Sequence, residues 1–143
     1  MRLFPVWQVA HEGGYDSLLD VLLATRNLSL ADLQVGPEAL HRPELLTDLE
    51  RGAERIERAI RRGETIVVYG DYDVDGVTST ALIMDFLERA GAKCHYLLPH
   101  RHTDGYGLKP PGVQRALALD ASLIITVDNG ISAFEALELA QQH

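Results

Sequence analysis

The sequence predicts an α/β fold: an open parallel sheet with helices on both faces (Rossmann-like), preceded by a helical N-terminal segment. Three observations carry this. From Glu64 onward, short apolar runs alternate with helix-length stretches, the order expected of a parallel sheet with right-handed crossovers. The strand candidates are nearly all apolar (Ile66, Val67, Val68; Leu123, Ile124, Ile125), as in strands covered on both faces. Acidic clusters follow two of these strands, and ligands in such sheets lie beyond the carboxyl ends of the strands.

Residues 1–44 form the least regular segment, punctuated by Gly13-Gly14 and Gly36-Pro37, with a short apolar helix at Ser17 to Ala24. The α/β domain is expected over 45–143. Leu45 to Arg62 reads as an amphipathic helix with Leu45, Leu46, Leu49, Ala53, Ile56, Ala59 and Ile60 on one face, and Gly63 is placed to end it. Arg51, Arg55, Arg58 and Arg62 form a stripe at helical spacing. It reads as a solvated face paired with Glu50, Glu54 and Glu57 rather than a DNA contact. A strand follows at Thr65 to Tyr69, then a helix from Val77 to Ala90 closed by Gly91. The next strand is Cys94 to Leu98, with Cys94 in the core. Pro110 or Pro111 opens a helix to about Leu119. The third strand is Ser122 to Val127, and Ser132 is the expected N-cap of the last helix. That helix stops at Gln141-Gln142-His143 without a cap, which leads us to expect the leading piece of a larger protein.

At 143 residues and 46% hydrophobic content the chain suits one compact domain or most of one. Its net charge of −8 argues against nonspecific DNA binding by a basic surface, although bound cations would neutralise an acidic centre. A single cysteine excludes an internal disulfide framework. With no signal pattern and no long apolar run, the expectation is a soluble cytoplasmic protein with no membrane partner.

The chemistry concentrates in Gly70-Asp71-Tyr72-Asp73-Val74-Asp75-Gly76, where three aspartates alternate directly after a strand. In an extended segment alternate side chains point the same way. Carboxylates so crowded repel unless a cation intervenes, and oxygen clusters select hard divalent ions, Mg²⁺ or Mn²⁺. The competing reading, aspartates capping a turn, suits one such residue better than three. Asp73 and Asp75, nearest the helix start, are the primary candidates, and Asp71 is either a ligand or an orienter of ligands. Asp128 repeats the design after the third strand, so one site shared between parallel strands is expected. Gly76 turns the chain into a helix whose Thr78 and Ser79 either receive a phosphate or merely cap. No Gly-Lys-Ser/Thr and no Gly-x-Gly-x-x-Gly follows, so those nucleotide motifs are absent. In the loop from Pro99 to Leu108, Arg101 could hold a phosphate through paired hydrogen bonds. Tyr106, between glycines, either stacks on a base or packs inward. His100 and His102 read as surface residues.

These residues match a known pattern. Ile66 through Leu82 resembles the first motif of the DHH phosphoesterases in the form used by RecJ-type single-strand-specific exonucleases. Arg101 through Tyr106-Gly107-Leu108 resembles the second motif, Val127-Asp128-Asn129-Gly130-Ile131 the third, and Leu40 to Leu46 the stretch before the first. The resemblance implies Asp73, Asp75 and Asp128 as metal ligands with catalytic roles, Asp71 close behind, and Arg101 as a substrate contact. It implies a two-metal site using Mn²⁺ or Mg²⁺ and a 5′→3′ exonuclease of single-stranded DNA in recombination and repair. A single-strand-binding protein and a helicase are the partners it suggests. Residues 1–143 hold no Asp-His-His triplet, the signature that follows the third motif, so these residues alone are expected to bind Mn²⁺ weakly and to hydrolyse little. Two alternatives stand beside this: a DHH phosphodiesterase of short oligonucleotides or nucleotide phosphates, and a non-catalytic scaffold of replication.

Overall fold

The computed structural model describes residues 13–14, 16–34 and 36–143. The chain divides into two units, residues 1–45 and 46–143. In the first, α1 (Leu18–Thr25) starts at Ser17, whose hydroxyl accepts the Asp20 N–H as an N-cap. Three short 3₁₀ turns follow, and Leu30–Leu33 is held by a reciprocal capping box between Ser29 and Asp32. The first twelve residues of the expected 1–44 segment lie outside the described residues.

The second unit is the α/β layer structure that the alternation predicts. Its elements are α2 (Leu49–Arg62), β1 (Thr65–Tyr69), α3 (Val74–Arg89), β2 (Lys93–Leu97), α4 (Pro110–Leu117), β3 (Leu123–Thr126) and α5 (Phe134–Gln141). The strands are all parallel in the order β2-β1-β3, with Val68 opposite Tyr96 on one side and Ile125 on the other. β1 is central and every residue of it is buried, whereas the apolar β3, with one described neighbour, is only half-buried.

The two-residue period of the strands sorts the core into two layers. Ile66 and Val68 pack with Ala59 of α2 and Leu87 of α3, joined by Cys94, Leu123 and Ile125. Tyr69 faces the other way, with Val113 of α4 and Ala136 of α5, joined by Leu97 and Ile124. Helices therefore cover both faces.

Several boundaries differ from the sequence reading. α2 begins at Leu49 after Asp48 in the left-handed region (φ 59°), so Leu45 and Leu46 are exposed rather than part of its apolar face. α3 begins three residues early because the Asp73 carboxylate caps the Gly76 N–H at 3.0 Å. Ser132 is not the cap of the last helix: α5 starts at Phe134 after Ala133, whose side chain cannot cap. The arginine stripe is only partly a solvated face. Arg51, Arg58 and Arg62 are exposed, but Arg55 turns inward to Glu64 at 2.7 Å and donates to the Ser122 carbonyl at 3.0 Å. Arg55 thereby ties α2 to the start of β3.

Candidate metal centre

The chain leaves β1 at Tyr69 and meets Gly70, whose lack of a side chain makes room for Thr80 and Leu98. Asp71 follows and is completely buried. The turn into α3 needs glycine at position 76: a Cβ there would lie 2.5–2.6 Å from the Asp71 backbone. This close approach folds the first turn of α3 back over Asp71 and positions its carboxylate. Asp73 sits at the N-cap, with one oxygen committed to Gly76.

The carboxylates converge with those of β3's end. Asp71, Asp73 and Asp128 each offer an oxygen, all within 4.8 Å of one another. Asp128 has a left-handed backbone (φ 60°), a conformation that aspartate tolerates better than most residues. Two contacts hold it there. The Tyr106 hydroxyl donates to the Asp128 carbonyl at 3.2 Å, and the Asn129 side-chain amide donates to the carbonyls of Val127 at 2.9 Å and Tyr69 at 3.4 Å. Asn129 thus staples the end of β3 to the end of β1, a task that its neighbouring position gave no sign of in the sequence.

Asp75 is placed differently. Because α3 begins at Val74, Asp75 lies within the helix's first turn and outside the three-carboxylate group. It lines a shallow outer cleft with Thr78, Ser79, Leu82 and Asp128. The extended geometry that would point Asp71, Asp73 and Asp75 the same way ends at Asp73. Thr78 and Ser79 are likewise past the first turn: their hydroxyls donate back to the Val74 carbonyl at 2.7 Å and the Asp75 carbonyl at 2.6 Å. They neither cap the helix nor present first-turn N–H groups, although they border the cleft.

The electrostatics follow from the crowding. The Asp128 carboxyl is pushed above the usual carboxylate range, chiefly by lost hydration around the carboxyl itself although the residue is exposed overall. The charges of Asp73, Asp75 and Asp71 add to this. Tyr106 is also pushed up, first by lost hydration and then by Asp128, Asp71 and Asp73. Both oxygens of Asp71 are buried without a hydrogen-bond partner. A buried carboxylate with no donor is costly, and a cation is the counterpart that would satisfy it. The all-oxygen donor set fits Mg²⁺ or Mn²⁺.

The loop after β2 borders this centre. Asp104 organises it, accepting the His100 N–H at 2.8 Å and an Arg115 N–H at 3.1 Å, while Lys109 donates to the Asp104 carbonyl at 2.8 Å. The backbone bond from His100, followed by Arg115 and Thr103, holds the Asp104 carboxyl below its ordinary range despite some lost hydration. Arg101 is exposed and leans on the ring of Tyr72, with its guanidinium carbon 4.7 Å from the ring centre. Tyr106 is neither packed inward nor free: it is 61% exposed, with its hydroxyl on Asp128. His100 and His102 are exposed, as expected.

Residues 65–143 match the DHH family, N-terminal domain. The single-stranded-DNA-specific exonuclease RecJ of Escherichia coli (strain K12) is 40% identical over 126 residues, 87% of this chain and 22% of its own length. The RecJ of Thermus thermophilus is 39% identical over 120 residues, 72% of this chain and 18% of its own length. A crystal structure of exonuclease RecJ bound to manganese is similar with a TM-score of 0.64 at 38% identity, covering 68% of this chain and 25% of that one. A crystal structure of the Thermus thermophilus RecJ in complex with Mn²⁺ gives a TM-score of 0.57 at 34% identity, over 73% of this chain and 14% of that one. The chain therefore spans roughly a quarter or less of the relatives it matches. No described helix is long and apolar enough to cross a membrane. The chain belongs to the DHH family, and the relatives it resembles in sequence and fold are RecJ exonucleases.

Proposed function

We propose that this chain supplies carboxylate ligands to a Mn²⁺- or Mg²⁺-dependent phosphodiesterase centre that degrades single-stranded DNA from the 5′ end. The observation that carries the reading is the convergence of Asp71, Asp73 and Asp128 within 4.8 Å around a buried carboxylate with no donor. Asp71 is the inner ligand, Asp73 and Asp128 close the group, and Asp75 serves a second position on the outer side. When bound, a pair of such ions would activate water and stabilise the leaving oxygen of an in-line displacement. The chain's own part is to aim these oxygens and to hold Asp128 through Tyr106 and Asn129. Arg101 offsets phosphate charge at the rim, while Thr78 and Ser79 border the cleft by which the strand would approach. The names of the relatives support single-stranded DNA as the substrate; a single-strand-binding protein and a helicase are further partners of this reading. Domain limits of 1–44 and 45–143 remain part of this proposal.

Isothermal titration of the 143-residue chain with MnCl₂ is the primary test. Saturable binding that disappears in Asp73→Ala is expected; absence of binding would overturn the reading and favour a scaffold. In a protein that carries these residues together with an Asp-His-His segment, Asp73→Ala or Asp128→Ala should cost orders of magnitude in hydrolysis of a single-stranded oligonucleotide. Preference for a dinucleotide over a long strand would move the assignment to the short-oligonucleotide enzymes.

A further inference from the structure

Tyr72 separates Asp71 from Asp73, and no step of the chemistry above uses it. It is half-buried, and its ring carries Arg101 from the loop after the neighbouring strand. Among the described residues Arg101 makes no ion pair, although the segment it leans on holds two carboxylates of the cluster. That choice of partner has a consequence for what the guanidinium can do. A carboxylate partner would occupy two of its N–H donors and cancel its charge. An aromatic face holds the cation from one side of the plane and leaves all five donors in the plane free.

We propose that Tyr72 is a positioning residue: its ring holds the Arg101 guanidinium beside the Asp71–Asp73–Asp128 group with its donors and charge unspent, ready for a phosphate of the DNA strand. The inference rests on the reading of that group as a metal-dependent phosphodiester site. Tyr72 acts through Arg101 and contributes no metal ligand. Its hydroxyl is not required, so phenylalanine should serve and an aliphatic residue of similar bulk should not.

The test is a double-mutant cycle on the 143-residue chain in MgCl₂, with a fluorescent, phosphate-terminated oligothymidylate as the probe and anisotropy as the readout. Tyr72→Phe should bind as the parent does. Tyr72→Leu should weaken binding by about three- to fivefold, the effect an exposed cation–π contact supports. In an Arg101→Ala background, Tyr72→Leu should have no further effect. Titration with MnCl₂ should give the same affinity in parent and Tyr72→Leu, which separates positioning of arginine from damage to the carboxylates. The Arg101 Nε–H proton, followed by NMR in MgCl₂, should be shifted upfield by the ring in parent and Tyr72→Phe and not in Tyr72→Leu.

Equal oligonucleotide binding by Tyr72→Leu and parent, or an equal loss with and without Arg101, overturns the proposal. So does Mn²⁺ binding by a parent chain that shows no affinity for the oligonucleotide. Failure of the parent to bind Mn²⁺ overturns the underlying site and this inference with it.

Discussion

Asp71→Asn should separate stability from metal binding in opposite directions. The side chain is wholly buried and both its oxygens lack hydrogen-bond partners, with two further carboxylates within 4.8 Å. An ordinary buried polar group loses about 1–3 kcal/mol when its partner is removed, and a charged one more. Replacing the carboxylate by an amide of the same shape removes the charge while leaving the packing, so in EDTA the variant should be at least as stable as the parent. With the parent, Mn²⁺ at a hundredfold excess over its dissociation constant adds about 2.7 kcal/mol. For a unit the size of residues 46–143, that corresponds to a rise in Tm of roughly 10–20 °C. Thermal unfolding followed by circular dichroism, with EDTA and with MnCl₂, reads both effects. The parent should show the large metal-dependent rise, and Asp71→Asn should lose most of it without losing Tm in EDTA. A variant that melts well below the parent in EDTA yet keeps the full Mn²⁺ shift would refute the assignment of Asp71 as the inner ligand.

Gly76→Ala should destabilise by about 1–3 kcal/mol or more, since its Cβ must displace the Asp71 backbone, and Mn²⁺ affinity measured by calorimetry should fall with it. Arg55→Ala should cost about 1–2 kcal/mol of stability through loss of the Glu64 and Ser122 contacts, with Mn²⁺ affinity unchanged in the same titration. Asp104 is held below its ordinary range, so its contribution is complete above the unfolded value near about 3.9 and is lost as pH falls through the lower folded value. Protection of the His100 amide against hydrogen exchange, corrected for the intrinsic rate, should therefore fall at the acid end, and Asp104→Asn should show the reduced protection at neutral pH.

Much of the fold was legible because β1 and its neighbours follow simple periodicities. Three parallel strands emerge within a residue of their expected limits; for β1 and β3 this is because apolar β-branched runs have few other uses. Helix starts were less legible, for a reason that bears on the site. Asp73 is both a strand-end carboxylate and an N-cap, and the capping role pulls the helix start forward to Val74. Alternation on paper therefore stops describing geometry at that residue. Asp75 moves to the outer cleft, and Thr78 and Ser79 turn their hydroxyls onto carbonyls one turn back.

The same local competition explains why Asp71, rather than Asp75, is the residue most in need of a cation. Sequence spacing puts Asp73 and Asp75, nearest the helix start, ahead of Asp71, but it contains no measure of solvent. The fold ranks them. Gly76 lets the helix backbone close over Asp71 and seal it from water, while Asp73 satisfies one oxygen on the backbone and Asp128 and Asp75 keep theirs near the surface. A buried carboxylate that water, backbone and side chains all fail to satisfy is the costliest of the set, and this burial is the ground for proposing Asp71 as the inner ligand. Tyr72 and Asn129 escape motif reading for the complementary reason. Neither is charged, and their value lies in what they hold, Arg101 in one case and the end of β3 in the other. Chemistry-bearing residues are visible as residue types; those that place them become visible only once two strand ends share an edge.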